Sequence, residues 1–138
     1  MDTDSLRAAF ETGFGILTES GTPEEFFDFI ADDGFFIDED VPLVLDKTQL
    51  EDHIGFHGNN IWERVYITFR DLSVEVYGAT GAIAANYQLR GKPRDAGYRQ
   101  RDGMISVLCH YDADAGRWRA LKCHLGSILS AIHHSSPG

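Results

Sequence analysis

The sequence predicts an α+β fold in which three N-terminal helices pack on a strongly curved, mainly antiparallel sheet. Three observations predict it: apolar residues recur at helical spacing in the first part of the chain, alternate with a period of two after about residue 60, and slip phase once within the first long alternating run. The chain has 138 residues, 43% of them hydrophobic and 25% charged, which suits one domain spanning residues 1–138. A compact fold of this size buries enough surface to need no disulfide or metal staple.

The elements follow in order. Leu6, Ala9, Phe10, Phe14 and Leu17 share a helical face, so a first helix is expected from residue 4 to about 18, with Asp4 or Ser5 as N-cap. Thr22, Pro23, Glu24 and Glu25 then form a start signal: an N-cap, a proline at the first helical position and acids in the first turn. The second helix should run to about residue 31, where Asp33-Gly34 breaks it. Short strands over 35–37 and 43–45 flank an acidic turn at 38–42. A third helix is expected from Lys47 or Thr48 to near Gly58.

From Glu63 to the Gly126 region, turn signals at 78–81, 91–97 and 112–116 divide the alternation into an antiparallel meander of four strands. The apolar set of the first strand is odd-numbered at Val65, Ile67 and Phe69, then even-numbered at Leu72, Val74 and Val76. A one-residue slip near Arg70-Asp71 is what a β-bulge produces, and bulges bend long strands. The helices should therefore cover the concave side of the sheet and leave an interior pocket. The polar tail, 130–138, is expected to fray.

Formal charge is −10, which repels phosphate backbones and anionic lipid and argues against nucleic acid or membrane as partner. No apolar run approaches the roughly 20 residues of a membrane helix. The two cysteines, Cys109 and Cys123, form no CxxC pair and suggest a reduced, cytoplasmic setting. Residues 1–60 hold 2 basic and 15 acidic side chains, whereas 61–138 hold 10 and 7. Arg90, Lys92, Arg94, Arg99 and Arg101 crowd into twelve positions, either as a solvated hairpin tip or as an electropositive rim for an anionic ligand.

Two segments carry a family resemblance. Residues 30–38, Ile-Ala-Asp-Asp-Gly-Phe-Phe-Ile-Asp, form a helix end and first strand, and residues 116–124, Gly-Arg-Trp-Arg-Ala-Leu-Lys-Cys-His, place a His six residues after the Trp of a Gly-x-Trp turn, with Ser127 following. Over about residues 5–128 the chain resembles the nuclear transport factor two superfamily of cystatin-like α+β cones, which holds SnoaL-like polyketide cyclases, ketosteroid isomerase and scytalone dehydratase. The resemblance implies the fold and a homodimer formed through the sheet face. The family's chemistry varies, so function rests on the site.

The position that resembles the isomerase's catalytic Asp is Asp38, which is either a general base at an apolar mouth or part of a wet turn. The isomerase's oxyanion donors have no match: the first helix has Phe10 and Phe14 in place of a Tyr, and Ser106 stands nearest the second acid. Steroid isomerisation is thus not carried over. By alternation His124 should share a face with Trp118 and Ala120, as an acid or base near neutral pH or as a core His bonded to Ser127 or a carbonyl. Ser106 and His110 share a face of the neighbouring strand. His53 and His57 lie four apart on the third helix without the Glu of a zinc HExxH motif, so packing is favoured over metal. Asn86 and Tyr87 face opposite ways, and whichever faces the cavity is placed to orient a ligand; Tyr87 follows the apolar phase of Ile83, Ala85 and Leu89, so core packing is its default. Arg101 suits a bidentate clamp on a carboxylate.

The reading is a small-molecule-binding cone for an apolar or aromatic organic ligand, with Trp118, His57, Ser106, Asn86, Arg101 and Phe14 as lining and no cofactor or metal. If catalytic, it would run a cofactor-free isomerisation, dehydration or cyclisation by proton transfer, with Asp38 as base, His124 as acid or orienting donor, and Trp118 as the wall. The rival is a non-catalytic dimeric binding or association domain.

Overall fold

The structure is a computed structural model that describes residues 2–17, 23–39, 43–52, 62–93 and 99–127. The first helix, α1 (Thr3–Gly13), is capped by Asp2, ahead of the expected Asp4 or Ser5. The Asp2 carboxylate accepts from the Ser5 N–H at 2.8 Å and the Ser5 hydroxyl accepts from the Asp2 N–H at 3.0 Å, a reciprocal capping box. These bonds hold the Asp2 carboxyl below its ordinary range. The helix ends at Gly13 and tightens into a 3₁₀ turn, Phe14–Leu17, short of the expected end near residue 18. The second helix, α2 (Pro23–Phe29), stops before residue 30, and its expected N-cap, Thr22, lies outside the described residues.

Strand β1 (Ile30–Asp38) begins five residues before the expected 35–37. The Asp33-Gly34 signal does not end an element. It is absorbed as an irregularity inside the strand, where the register on its neighbour shifts between Ile30 and Phe35 and Asp32 and Asp33 are exposed. Strand β2 (Leu43–Asp46) matches the expected site, and residues 47–52 are helical (α3). The expected end of α3 near Gly58, with His53 and His57, and the tail at 130–138 lie outside the described residues.

The meander is present as β3 (Trp62–Tyr77), β4 (Thr80–Pro93), β5 (Arg99–Asp112) and β6 (Arg117–Ser127). The sheet order is β2-β1-β6-β5-β4-β3, antiparallel except where β1 runs parallel to β6. The expected bulge is there: Arg70 pairs with Asn86 and Ser73 with Ala84, so Asp71 and Leu72 oppose Ala85 alone. Asp71 takes the left-handed conformation, φ 55°, and its carboxylate accepts from the Asn86 side-chain amide at 3.0 Å.

One face of the sheet is roofed by the helices and the other is open. Under the helices the roofed face carries a cluster of rings: Phe10 lies 4.7 Å from Phe69 and 4.9 Å from Phe14, and Phe14 lies 5.4 Å from Phe26. Leu6, Ile83, Ile105 and Ala120 complete this core. Among the described residues, no helix is long and apolar enough to cross a membrane.

Candidate functional site

A second bulge, in β6, decides which side chains share a face. Leu108 pairs with Lys122 but Cys109 pairs with Ala120, so Leu121 is the extra residue. Trp118 and Ala120 are buried, and beyond the slip Cys123 and Leu125 are buried while Lys122 and His124 are exposed. The expectation that His124 shares the face of Trp118 and Ala120 is corrected: the one-residue slip sends it to the open face. The signal was in the sequence, because the adjacent apolar pair Ala120-Leu121 marks the same phase change that Phe69 and Leu72 mark in β3.

On the roofed face, Asp38 stands at the end of β1 opposite Leu125, and Arg101 near the start of β5 opposite Leu89. The Arg101 guanidinium donates to both carboxylate oxygens of Asp38, Nη2 to Oδ1 at 2.7 Å and Nη1 to Oδ2 at 2.9 Å. The two side chains retain only 18% and 21% exposure. The same guanidinium lies 5.6 Å from the centre of the Tyr87 ring. Tyr87 is 1% exposed, and its hydroxyl donates to the Gly126 carbonyl at 3.1 Å. Arg101 is thus the bidentate clamp that its residue type suggested, and it holds a carboxylate of its own chain.

Trp118 and Phe14, expected to line a ligand pocket, are each 2% exposed and belong to the core. The Trp118 indole N–H donates to the Ser5 hydroxyl at 3.0 Å, which ties the cap of α1 to the sheet. Cys109 and Cys123 are free and buried. Burial pushes the Cys109 thiol up to about 12, and burial with Cys109 nearby raises that of Cys123.

The open face carries the remaining polar candidates. Ser106 sits directly opposite His124 across β5 and β6, and His110 opposite Arg119. The His124 Nε2 meets the Glu39 carboxylate at 2.8 Å. Glu39 was legible only as a turn acid: it reaches His124 because β1 runs alongside β6 and because Gly126 leaves room, a Cβ there falling 2.8 Å from Glu39 Oε2. Asn86 faces the same side, half-buried on the Asp71 bulge. Further along, Gln100 and Gln88 donate to Asp102 and, with Arg70 and Arg90 nearby, hold its carboxyl below the ordinary range. The structure therefore brings Asp38 together with Arg101, and His124 with Ser106, on opposite faces. His57 lies outside the described residues. Among these residues no three His, Cys, Asp or Glu side chains gather as a metal-binding group.

No protein-family model matches the sequence, and no curated protein matches it. Solved structures do match in fold. A nuclear transport factor 2-like superfamily protein from Salmonella enterica aligns at TM-score 0.75 over 91% of this chain and 89% of its own, with 14% identity. A protein with a cystatin-like fold from Caulobacter vibrioides aligns at 0.72, covering 98% and 95% with 15% identity. One from Novosphingobium aromaticivorans, proposed to be a scytalone dehydratase, aligns at 0.74 over 90% and 82% with 8% identity. At such identities the likeness is one of fold.

Proposed function

We propose that this chain, which has the α+β cone of the nuclear transport factor 2-like proteins, binds a small, mostly apolar organic molecule against the roofed face, with Asp38, Arg101 and Tyr87 as the polar end of its site. One observation carries the reading: a two-pronged Arg–carboxylate pair, four-fifths buried, set beside aliphatic and aromatic side chains. Two formal charges are costly to desolvate, and replacing such a pair by apolar residues is often neutral or stabilising. Its presence at one end of an apolar layer therefore favours recognition over stability. The fold neighbours include a proposed dehydratase, which is in keeping with a small organic ligand.

Proton transfer by Asp38 and His124 acting together loses support, because the sheet lies between them and the oxygens of Asp38 are engaged by Arg101. If turnover occurs, Asp38 is the base within reach of such a ligand and Arg101 is the group that orients it. The test is a thermal-shift screen of aromatic and polyketide-like carbonyl compounds at several pH values, repeated with Asp38→Asn and Arg101→Lys. A ligand that binds only the native state raises its melting temperature, so a compound that stabilises the parent and neither variant supports the reading. Stabilisation by none of them overturns it.

The second reading is association of two copies through the open face. It is favoured by the exposure there of Phe35, Val44, Met104 and Leu108, at 43, 61, 59 and 38%. Sedimentation over a dilution series tests it: a dimer that Met104→Glu dissociates supports it, and a monomer at all concentrations excludes it.

A further inference from the structure

The open face holds a hollow of about 490 Å³ that the roofed-face reading leaves unused. Its origin is a matter of side-chain size along two neighbouring rows of the sheet. One row runs Ser73, Ala84, Ser106, His124, Ile37, and the next runs Glu75, Ala82, Leu108, Lys122, Phe35. The middle strands β4 and β5 contribute mostly short side chains and the flanking strands long ones, so the floor is low and the walls stand up. The volume lies within the range of small-molecule sites.

The walls differ in chemistry. On β6, the Lys122 ammonium stands over the Phe35 ring at 5.9 Å, and among the described residues no carboxylate pairs with it. His124 beside it is held by Glu39, which leaves its other ring nitrogen for a second bond. On β3, Ser73 and Glu75 face inward from the opposite wall, and Glu75 accepts a hydrogen bond from the Tyr77 hydroxyl. Three strand spacings separate the walls, about 14 Å between backbones. The floor of Ala82, Ala84 and Leu108 offers a flat apolar bed.

We infer that this trough binds an elongated aromatic carboxylate. The acid pairs with Lys122, the rings lie on the alanine floor, and a hydroxyl at the far end donates to Glu75. The site is separate from the Asp38–Arg101 end of the roofed face, with the sheet between them. A second copy seated on the open face would shut the trough, so the two occupants exclude one another.

The probe is a biphenyl with a para carboxylate at one end and a para hydroxyl at the other, titrated into isotope-labelled protein and followed by amide NMR. Saturable shifts should cluster at residues 73–75, 82–84, 106–108 and 122–124. Lys122→Ala should weaken binding about tenfold, the usual scale for a lost charge-assisted bond. Ala84→Phe should abolish it by filling the floor while the remaining spectrum is retained. Removing the probe's hydroxyl should weaken binding severalfold in the parent and leave Glu75→Gln indifferent to the change. The inference is overturned by shifts that gather around residues 38, 87 and 101 instead, by affinity unchanged in Lys122→Ala, or by a dimer whose trough amides do not respond. If Ala84→Phe fails to fold, the Lys122 variant decides the matter alone.

Discussion

Single atoms set the polar end of the roofed face. Gly103 pairs with Tyr87 across β4 and β5, and a Cβ at Gly103 would fall 2.6 Å from the Tyr87 ring and run into the Gly126 carbonyl. The missing side chain lets the ring lie flat on β5, reach that carbonyl with its hydroxyl and support the Arg101 guanidinium. Gly103→Ala should therefore cost about 3 kcal/mol in urea unfolding, the upper range for overpacking. The variant should also lose whatever ligand binding Arg101 supports, and a neutral outcome would contradict the arrangement. Ser5 is similarly placed: its hydroxyl accepts from Asp2 N–H and Trp118 Nε1 and donates to the Asp2 carbonyl. Ser5→Ala leaves a buried indole N–H without its acceptor and should cost about 2 kcal/mol, whereas Ser5→Thr should restore most of it.

At the scale of elements, the two bulges determine what each strand presents. In β3 the change from odd to even apolar positions announced the bulge from sequence, because burial on one face forces a phase change wherever a residue is inserted. Its left-handed residue is Asp71, a type that tolerates φ 55°, and its carboxylate is held by the Asn86 amide from the neighbouring strand. Asp71→Val should lose about 1–2 kcal/mol and Asp71→Asn far less, measured by thermal or urea unfolding; equal losses would show that backbone strain is not what selects the residue. The matching slip in β6 was legible in the same way, at Ala120-Leu121, and it moves His124 from the core to the open face. Strict alternation fails there because Trp118 and Leu125 must both be buried although they stand an odd seven positions apart.

Over the whole molecule, the roofed core is dry enough to suppress ionisation of the two thiols. The Cys109 thiol rises from 9.0 to about 12 and that of Cys123 rises as well, chiefly through burial. Between pH 9 and 12 the unfolded chain releases thiol protons that the folded chain retains, so it binds fewer protons and stability falls as pH rises. Each thiol adds to that decline across the window, and below pH 9 its contribution is fully present. Urea unfolding at intervals from pH 8 to 11 should show this decline, and a variant with Cys109→Ala and Cys123→Ala should flatten it. A decline of the same slope in that variant would trace the effect to other groups.

The amino-acid order by itself determined the helices-then-meander layout, the β3 bulge, and the identity of Asp38 and Arg101 as polar residues near strand ends, because periodicity and turn chemistry are local. Only the tertiary structure decided who meets whom. Asp38 and Arg101 lie 63 residues apart and come together because β1 inserts beside β6, in parallel, at one end of the meander. Glu39 finds His124 across the same strand pair. Such neighbours arise from how one layer folds back onto another to bury its apolar face, and no window of sequence short enough to carry a periodic signal contains both partners.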